Sequence, residues 1–272
     1  MKIGIIGLGF VGSAMLRSFI ERDVDVKGYD KYKDGGIGTF EEMLMTDILF
    51  LALPTPFNTE LSQYDKGEIF KTMELLNSES YRGVIVSKST IEPEEVDKIS
   101  NRYPELNIVN NPEFLTARTA YEDFDNQYHI VLGRTINCEE EKFLLVKEFY
   151  ESYYPNAEVS LCSAKESEMM KIFANSFYAT KVQFFTELYL TCEKNRTSYE
   201  KIVDMIVKNK FISEMHTKVP GPDGKLSYGG YCFPKDTNAL LNYMRSREIP
   251  CEVLEGVVSE RNKMREDNDN VV

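Results

Sequence analysis

Positive charge is scarce in this chain. It carries 32 Lys and Arg against 44 Asp and Glu, for a net charge of −12 and a pI near 4.9. Nucleic acids and anionic membranes are gripped by clustered cations, so neither is an expected partner; a small basic pocket for one phosphorylated ligand is still allowed. Histidine is scarcer still. His129 and His216 are the only two, which excludes a multi-histidine metal site and nearly excludes a Ser–His–Asp triad. The five cysteines, at 138, 162, 192, 232 and 251, are odd in number and widely spaced, with no Cys-x-x-Cys. Neither a disulfide framework nor a structural zinc site is expected, and the usage fits a reducing cytosol. Long apolar runs are missing too: none approaches the roughly 18 residues of a membrane span. The apolar stretch Ile3–Leu16 holds four regularly placed glycines and lacks a small-residue cleavage site, so it reads as strand and turn rather than signal peptide. The expectation is a soluble cytoplasmic protein without a metal.

What is present is ordinary for a globular chain: 272 residues, 42% hydrophobic and 28% charged, enough for about two domains. Short Val/Ile/Leu-rich runs at Ile3–Leu8, Val24–Asp30, Ile48–Pro54, Val84–Thr90, Leu106–Pro112, His129–Gly133 and Glu158–Cys162 read as strands buried on both faces. Helical spacing fills the gaps at Ser13–Arg22, Lys66–Asn77, Glu94–Tyr103 and Glu139–Tyr154. Alternation of this kind predicts an α/β architecture, a doubly wound and mostly parallel sheet, over residues 1–162. After Cys162 the pattern becomes all-helical. Ser163 to about Asn195 contains neither Pro nor Gly, predicting one helix roughly 50 Å long. Shorter helices are expected at Ser198–Lys208, Asp236–Arg247 and Glu252–Arg265, with a turn-rich loop over Pro220–Gly230 and a polar tail that frays. Residues 163–272 thus form a second, helical domain.

Gly7-Leu8-Gly9-Phe10-Val11-Gly12 is a G-x-G-x-x-G motif lying between a strand and a helix. In that context Gly7 permits the tight turn, Gly9 admits a pyrophosphate to the backbone, and Gly12 lets helix and strand pack closely. Asp30 ends the next strand, 18 residues after Gly12, where a carboxylate accepts from the ribose 2′-hydroxyl and repels a 2′-phosphate. The cofactor so predicted is NAD. A second unusual stretch is Tyr228-Gly229-Gly230-Tyr231-Cys232-Phe233-Pro234-Lys235-Asp236-Thr237. A cysteine behind a glycine pair, followed closely by a lysine, suits a nucleophile, because a nearby ammonium favours the thiolate.

These motifs, in order, resemble those of the UDP-glucose/GDP-mannose dehydrogenase family, and the likeness runs over essentially the whole chain. Gly7, Gly9, Phe10, Val11, Gly12 and Asp30 match the NAD fingerprint. Leu53-Pro54-Thr55-Pro56 resembles the V-x-T-P turn, and Ser89-Thr90 the S-T-V segment. Asn111-Pro112-Glu113-Phe114-Leu115 is the N-P-E-F-L motif, while Glu168, Lys171 and Asn175 fit E-x-x-K-x-x-x-N. Gly229 to Asp236 fits G-G-x-C-[LF]-P-K-D. The resemblance implies NAD-dependent oxidation of a nucleotide-sugar C6 alcohol to the carboxylate through a Cys232 thioester, with UDP-glucose giving UDP-glucuronate; the alternatives are the same chemistry on GDP-mannose or a UDP-N-acetylhexosamine, or a non-catalytic NAD-binding dimerisation module. It implies catalytic roles for Cys232, Lys171, Asn175, Asp236, Glu113 and Thr90, and cofactor contacts from Thr55 and Lys235. Substrate contacts are implied for Glu113, Phe114, Leu115, Lys171, Asn175, His216, Lys225, Tyr228 and Gly229. Spacing agrees in part: residues 168, 171 and 175 share one helix face and can point into one cleft.

Three departures stand out. The family's third, nucleotide-binding domain has no counterpart in this sequence. A second glutamate usual four residues after the motif glutamate is replaced by Ala117. His216 stands where an arginine usually reaches into a neighbouring subunit's site, with Lys218 nearby. A homodimer through the long central helix is expected, because Met169, Ile172, Phe173, Phe177, Phe184 and Leu188, widened by Tyr178, Phe185 and Tyr189, give it a broad apolar surface.

Overall fold

A computed structural model describes residues 1–33, 38–58, 60–116 and 118–265. Ala117 and the tail 266–272, on which sequence expectations fall, lie outside them. The chain runs β1 (Ile3–Ile6), α1 (Phe10–Glu21), β2 (Val26–Tyr29), α2 (Phe40–Met43) and β3 (Ile48–Leu51). A two-stranded ribbon, β4 (Phe57–Asn58) and β5 (Gln63–Tyr64), precedes α3 (Gly67–Ser78). Then come β6 (Val84–Ser87), α4 (Glu95–Arg102), β7 (Asn107–Asn110), α5 (Ala120–Asp125) and β8 (His129–Arg134). The rest is α6 (Glu140–Tyr153), β9 (Glu158–Ser163), α7 (Ala164–Asn195), α8 (Tyr199–Lys208), α9 (Cys232–Ser246) and α10 (Glu252–Met264).

Two compact units emerge. The first comprises Met1–Thr55 and Tyr64–Lys171; the second comprises Pro56–Gln63 and Ile172–Val272. The division falls inside α7 and assigns a short piece from the β4–β5 region to the second unit. Apolar periodicity carries neither signal, since α7 continues unbroken across the first and the second involves eight residues.

The first unit is built on a seven-stranded sheet in the order β2-β1-β3-β6-β7-β8-β9. Every neighbouring pair is parallel except β7 with β8. β1, β3, β6 and β7 are buried at every residue, as continuous apolar strands must be when helices cover both faces. One core gathers Phe19, Phe50, Phe124, Phe149, Tyr150 and Tyr154 from α1, the sheet, α5 and α6. Phe19 lies 5.4 Å from Phe50 and 5.2 Å, edge-on, from Phe149 by ring centroid, geometries that favour aromatic pairs. At the margin of this cluster the Ser18 hydroxyl bonds both Asp125 (2.8 Å) and the Tyr154 hydroxyl (2.7 Å). Arg22 closes the arrangement on Asp125.

The second unit is helical. Its core brings Phe185 and Cys192 of α7 against Tyr199, at the start of α8, and Val219. The Ser198 hydroxyl caps α8 by accepting from Lys201 N–H at 3.3 Å. The helix expected from Asp236 begins four residues earlier, at Cys232. Pro234 explains the shift. In a first turn its missing N–H costs nothing, so it opens the helix rather than delaying it.

Phe19 is fully enclosed, so Phe19→Ala should lower stability by about 3–5 kcal/mol. Urea unfolding followed by circular dichroism measures this, and a change below 1 kcal/mol would contradict the described core.

Candidate active site

β1 lies between β2 and β3, so the crossover from β1 runs to one side and the connection from β2 returns past β1 to β3 on the other. That switch point opens a crevice at the strands' carboxyl ends. Gly7 turns there with φ +90°, and a Cβ on it would sit 2.5 Å from the Ala52 carbonyl oxygen. A Cβ on Gly12 would lie 1.9 Å from the Gly7 carbonyl oxygen, whereas one on Gly9 would meet nothing within 4 Å. The turn is therefore tight behind and open in front. No side chain caps α1 and no acid occupies its first turn, which leaves the helix N-terminus suited to an anion. Asp30 braces the turn by accepting from Leu8 N–H (2.8 Å) and Tyr32 N–H (3.0 Å); a carboxylate has further lone pairs for ribose hydroxyls. Lys33 also reaches the Leu8 carbonyl. The glycines, α1 and Asp30 fit an adenine dinucleotide.

Two neighbouring turns are pinned by hydroxyls. Ser89 donates to the Leu53 carbonyl at 2.8 Å and accepts from Leu53 N–H at 3.1 Å. Thr55, nearly buried, donates to the Thr90 carbonyl at 2.8 Å. The segments expected to line the cofactor are thus held to each other beside the switch point.

At the carboxyl end of β7, Glu113 turns one carboxylate oxygen back to Leu115 N–H, 2.5 Å away. Its other oxygen lies 4.0 Å from the Lys171 ammonium, which stands over the Phe114 ring at 5.2 Å. Lys171 is 4% exposed. A buried ammonium beside a carboxylate provides both a cation for a developing oxyanion and a base. Glu168 does not join it. Its carboxylate accepts from Glu94 N–H (2.7 Å) and Val96 N–H (2.9 Å), tying α7 to the start of α4. The shared helix face seen in the sequence was real, but backbone donors claim its first member.

In the second unit Cys232 stands in the first turn of α9 and is partly accessible. Asp236, one turn on, is wholly enclosed: Lys235 Nζ donates to one oxygen and Asn175 Nδ2 to the other, each at 2.6 Å. Burial works against the Lys235 charge, but Asp236 more than offsets it and holds the lysine pKa above its usual value. The loop leading to Cys232 is firmly tethered. Arg265 bonds the Leu226 carbonyl (3.1 Å), the Ser227 carbonyl (3.3 Å) and Asp223, and a Cβ on Gly229 would strike its guanidinium at 2.3 Å. Arg261, 2% exposed, reaches the Tyr228 carbonyl at 3.3 Å. Tyr228 is itself buried, its hydroxyl 3.3 Å from Thr237. Sequence reasoning missed both arginines. Their four-residue spacing, Arg261 in the last turn of α10 and Arg265 just after it, was the available signal.

His216 packs between Tyr178 (4.8 Å) and Phe233 (5.5 Å). Burial, helped by Lys181, holds its pKa below the ordinary imidazole value, so at neutral pH it is an uncharged ring. Lys218 and Lys225 lie exposed on the same loop. Among the described residues no cluster of His, Cys, Asp or Glu could hold a metal ion, and no helix is long and apolar enough to cross a membrane.

Glycine turn, uncapped helix and strand-end acid define a Rossmann-type NAD-binding protein, here followed by a helical unit bearing a cysteine near a buried lysine–aspartate pair. Comparison with known proteins narrows the class. Residues 37–154 match the NAD binding domain of the UDP-glucose/GDP-mannose dehydrogenase family, and residues 165–263 match its central domain. The chain belongs to that family. It is 28% identical to UDP-glucose 6-dehydrogenase TuaD of Bacillus subtilis (strain 168) over 97% of its length, and it spans 63% of that relative. Its fold is similar to a UDP-glucose dehydrogenase from the archaeon Pyrobaculum islandicum (TM-score 0.83, 21% identity, covering 96% of this chain and 68% of that one). A 3-hydroxyisobutyrate dehydrogenase from Mycobacterium tuberculosis shares the fold as well (TM-score 0.75, 15% identity, 99% and 95%).

Asp30→Ala should weaken NAD binding by about tenfold or more, because a charged acceptor is lost. Calorimetric titration measures it, with thermal melting as the control for the Leu8 brace; unchanged affinity would remove Asp30 from the cofactor site.

Proposed function

We propose that this chain is an NAD-dependent nucleotide-sugar dehydrogenase, oxidising the C6 alcohol of UDP-glucose to the carboxylate of UDP-glucuronate. The observation that carries this reading is Cys232 in the first turn of α9. Helix N–H groups and the adjacent Lys235 both favour its thiolate. NAD, when bound by Gly7, Gly9, Phe10, Val11, Gly12, Asp30 and Thr55, supplies the acceptor for each of two hydrides.

The chain's own residues do the rest. Once the alcohol has become an aldehyde, Cys232 Sγ adds to its carbon, and the carbonyl oxygen takes up a proton to give a thiohemiacetal. Oxidation of that adduct leaves a thioester. Glu113 then draws a proton from water, the water oxygen attacks the acyl carbon, and the C–S bond breaks to release carboxylate and thiol. Lys171 and Asn175 stabilise the oxyanions, Asp236 holds a proton or water, and Thr90 positions the hydroxyl. On this reading Phe114 and Leu115 of the first unit, and Tyr228 and Gly229 of the second, are each assigned sugar contacts. The neutral His216 ring offers it a packing surface, which leaves the diphosphate to cations such as Lys218 and Lys225. Covalent capture keeps the aldehyde from escaping between the two oxidations.

NADH formation against a panel of UDP- and GDP-sugars tests this reading. Two NADH per UDP-glucose are expected. One NADH with a small hydroxyacid would point to the simpler chemistry of the fold relative, and NAD binding without turnover would mark a non-catalytic module. Cys232→Ser should retain NAD binding and lose steady turnover, whereas Glu113→Gln should let an acyl adduct accumulate on Cys232. Intact-mass spectrometry sees the adduct; its absence alongside normal turnover would exclude the Glu113 role.

The protein also forms a homodimer through α7 in this proposal. Ile172 and Phe185 point inward, yet Phe177 and Phe184 are each 65% exposed and Phe173 is 43% exposed. That leaves an apolar stripe at helical spacing. Light scattering should report a dimer that Phe177→Glu shifts to monomer, and a monomeric parent protein would refute the interface.

A further inference from the structure

Lys88 follows the last residue of β6, and none of the roles above uses it. The register of β6 and β7 pairs Ser87 with Asn110, so the next step sets Lys88 beside Asn111, the first residue of the turn that carries Glu113. Lys88 is 4% exposed, and its ammonium donates to Asn111 Oδ1 at 2.8 Å. The Tyr150 hydroxyl, from α6, donates to the same oxygen at 2.5 Å. Asn111 Nδ2 donates to the Val131 carbonyl at 2.8 Å, and its backbone N–H donates to the Ser87 carbonyl at 2.8 Å. The Asn111 side chain is thereby fixed from three elements. The Phe124 ring of α5 lies 5.8 Å from the ammonium.

A purely structural role does not account for a cation here. Tyr150 already satisfies the Asn111 oxygen, and an apolar side chain of equal length would fill the space without the cost of enclosing a charge. The charged groups acting on the ammonium are Glu113, from the turn after β7, which favours its charge, and Lys171, from the first part of α7, which opposes it. Both are residues to which the proposed reaction gives a role.

We propose that Lys88 is a positioning residue of this reaction: from the end of β6 it locks Asn111, aims the turn that bears Glu113, and sets the local charge that Glu113 and Lys171 experience. This rests on the dehydrogenase reading. Burial, with Lys171 adding to it and Glu113 opposing, brings the Lys88 pKa down to about 7. The charge is therefore present below neutrality and lost as pH rises through that value.

Lys88→Met and Lys88→Arg separate the possibilities by two readouts. The first is independent of turnover: the side-chain amide resonance of Asn111 in ¹⁵N-labelled protein, followed from pH 5.5 to 9. That range brackets the value near 7. In the parent protein it should shift with a midpoint near neutrality, and in Lys88→Met the shift should vanish. The second readout is the pH profile of NADH formation. Lys88→Met should lower kcat about tenfold, change KM less than threefold, and lose the inflection near pH 7. Lys88→Arg, which keeps a permanent charge, should recover much of kcat with no inflection. Wild-type kcat and an unaltered profile in Lys88→Met would overturn the proposal, as would an Asn111 resonance that does not titrate in the parent. If the parent produces no NADH with any sugar, the dehydrogenase reading fails, and so does the catalytic role of Lys88. A titrating Asn111 signal would then still establish the Lys88–Asn111 lock.

Discussion

The first unit depends on a contact that leaves no room for one methyl group. Gly12 packs so closely on the Gly7 carbonyl that any side chain there would overlap it. Through that approach α1 lies down on the sheet, Phe19 reaches Phe50 and Phe149, and the N-terminus of α1 faces the crevice at the end of β1. Asp30 then spends hydrogen bonds on the same turn. A binding surface and a core are made by one backbone geometry. Loss of either glycine would be felt in both.

Interior charge follows a second rule. Asp236 is fully enclosed because Lys235 and Asn175 serve both of its oxygens. Lys171 is enclosed near Glu113, and Glu168 is enclosed with two backbone donors. Asp236 and Lys171 each have a partner of opposite charge, as low-dielectric surroundings require, whereas burial raises the Glu168 pKa to about 8 and leaves it largely protonated at neutral pH. Asp236, Lys171 and Glu113, though not Glu168, are also groups to which the proposed reaction gives roles, since oxyanions and protons must be handled away from bulk water.

Much of the fold was legible in the sequence. Val84, Ile85 and Val86, like Ile108 and Val109, are consecutive apolar residues because both faces are covered, and the glycine motif marks its own turn. The long α7 was legible from its lack of Pro and Gly. Other features left no periodic trace. α2 and α5 are too short to show spacing, and the β4–β5 ribbon is only two residues a side. α9 opens at Cys232, four residues before the expected start, because a proline such as Pro234 is tolerated in a first turn. At the site, helical spacing correctly placed Glu168, Lys171 and Asn175 on one stripe. It could not show that the Glu94 and Val96 amides would take Glu168, because no pattern of side chains encodes backbone donors. Likewise the reason for Gly229 is the guanidinium of Arg265, which lies 36 positions later and belongs to another element.

The assignment of Pro56–Gln63 to the second unit has a consequence for synthesis. Among its links there, Asn242 donates to the Ser62 carbonyl, 180 residues away along the chain. A ribosome adding about 5–20 residues per second delivers that partner roughly ten to forty seconds after Ser62 itself. During the interval the segment is made without that partner, flanked in sequence by strands of the first unit. The second unit cannot be completed by its own stretch of sequence. Its assembly waits for residues translated long after Ser62, so the order of emergence, rather than local preference alone, constrains how it is built.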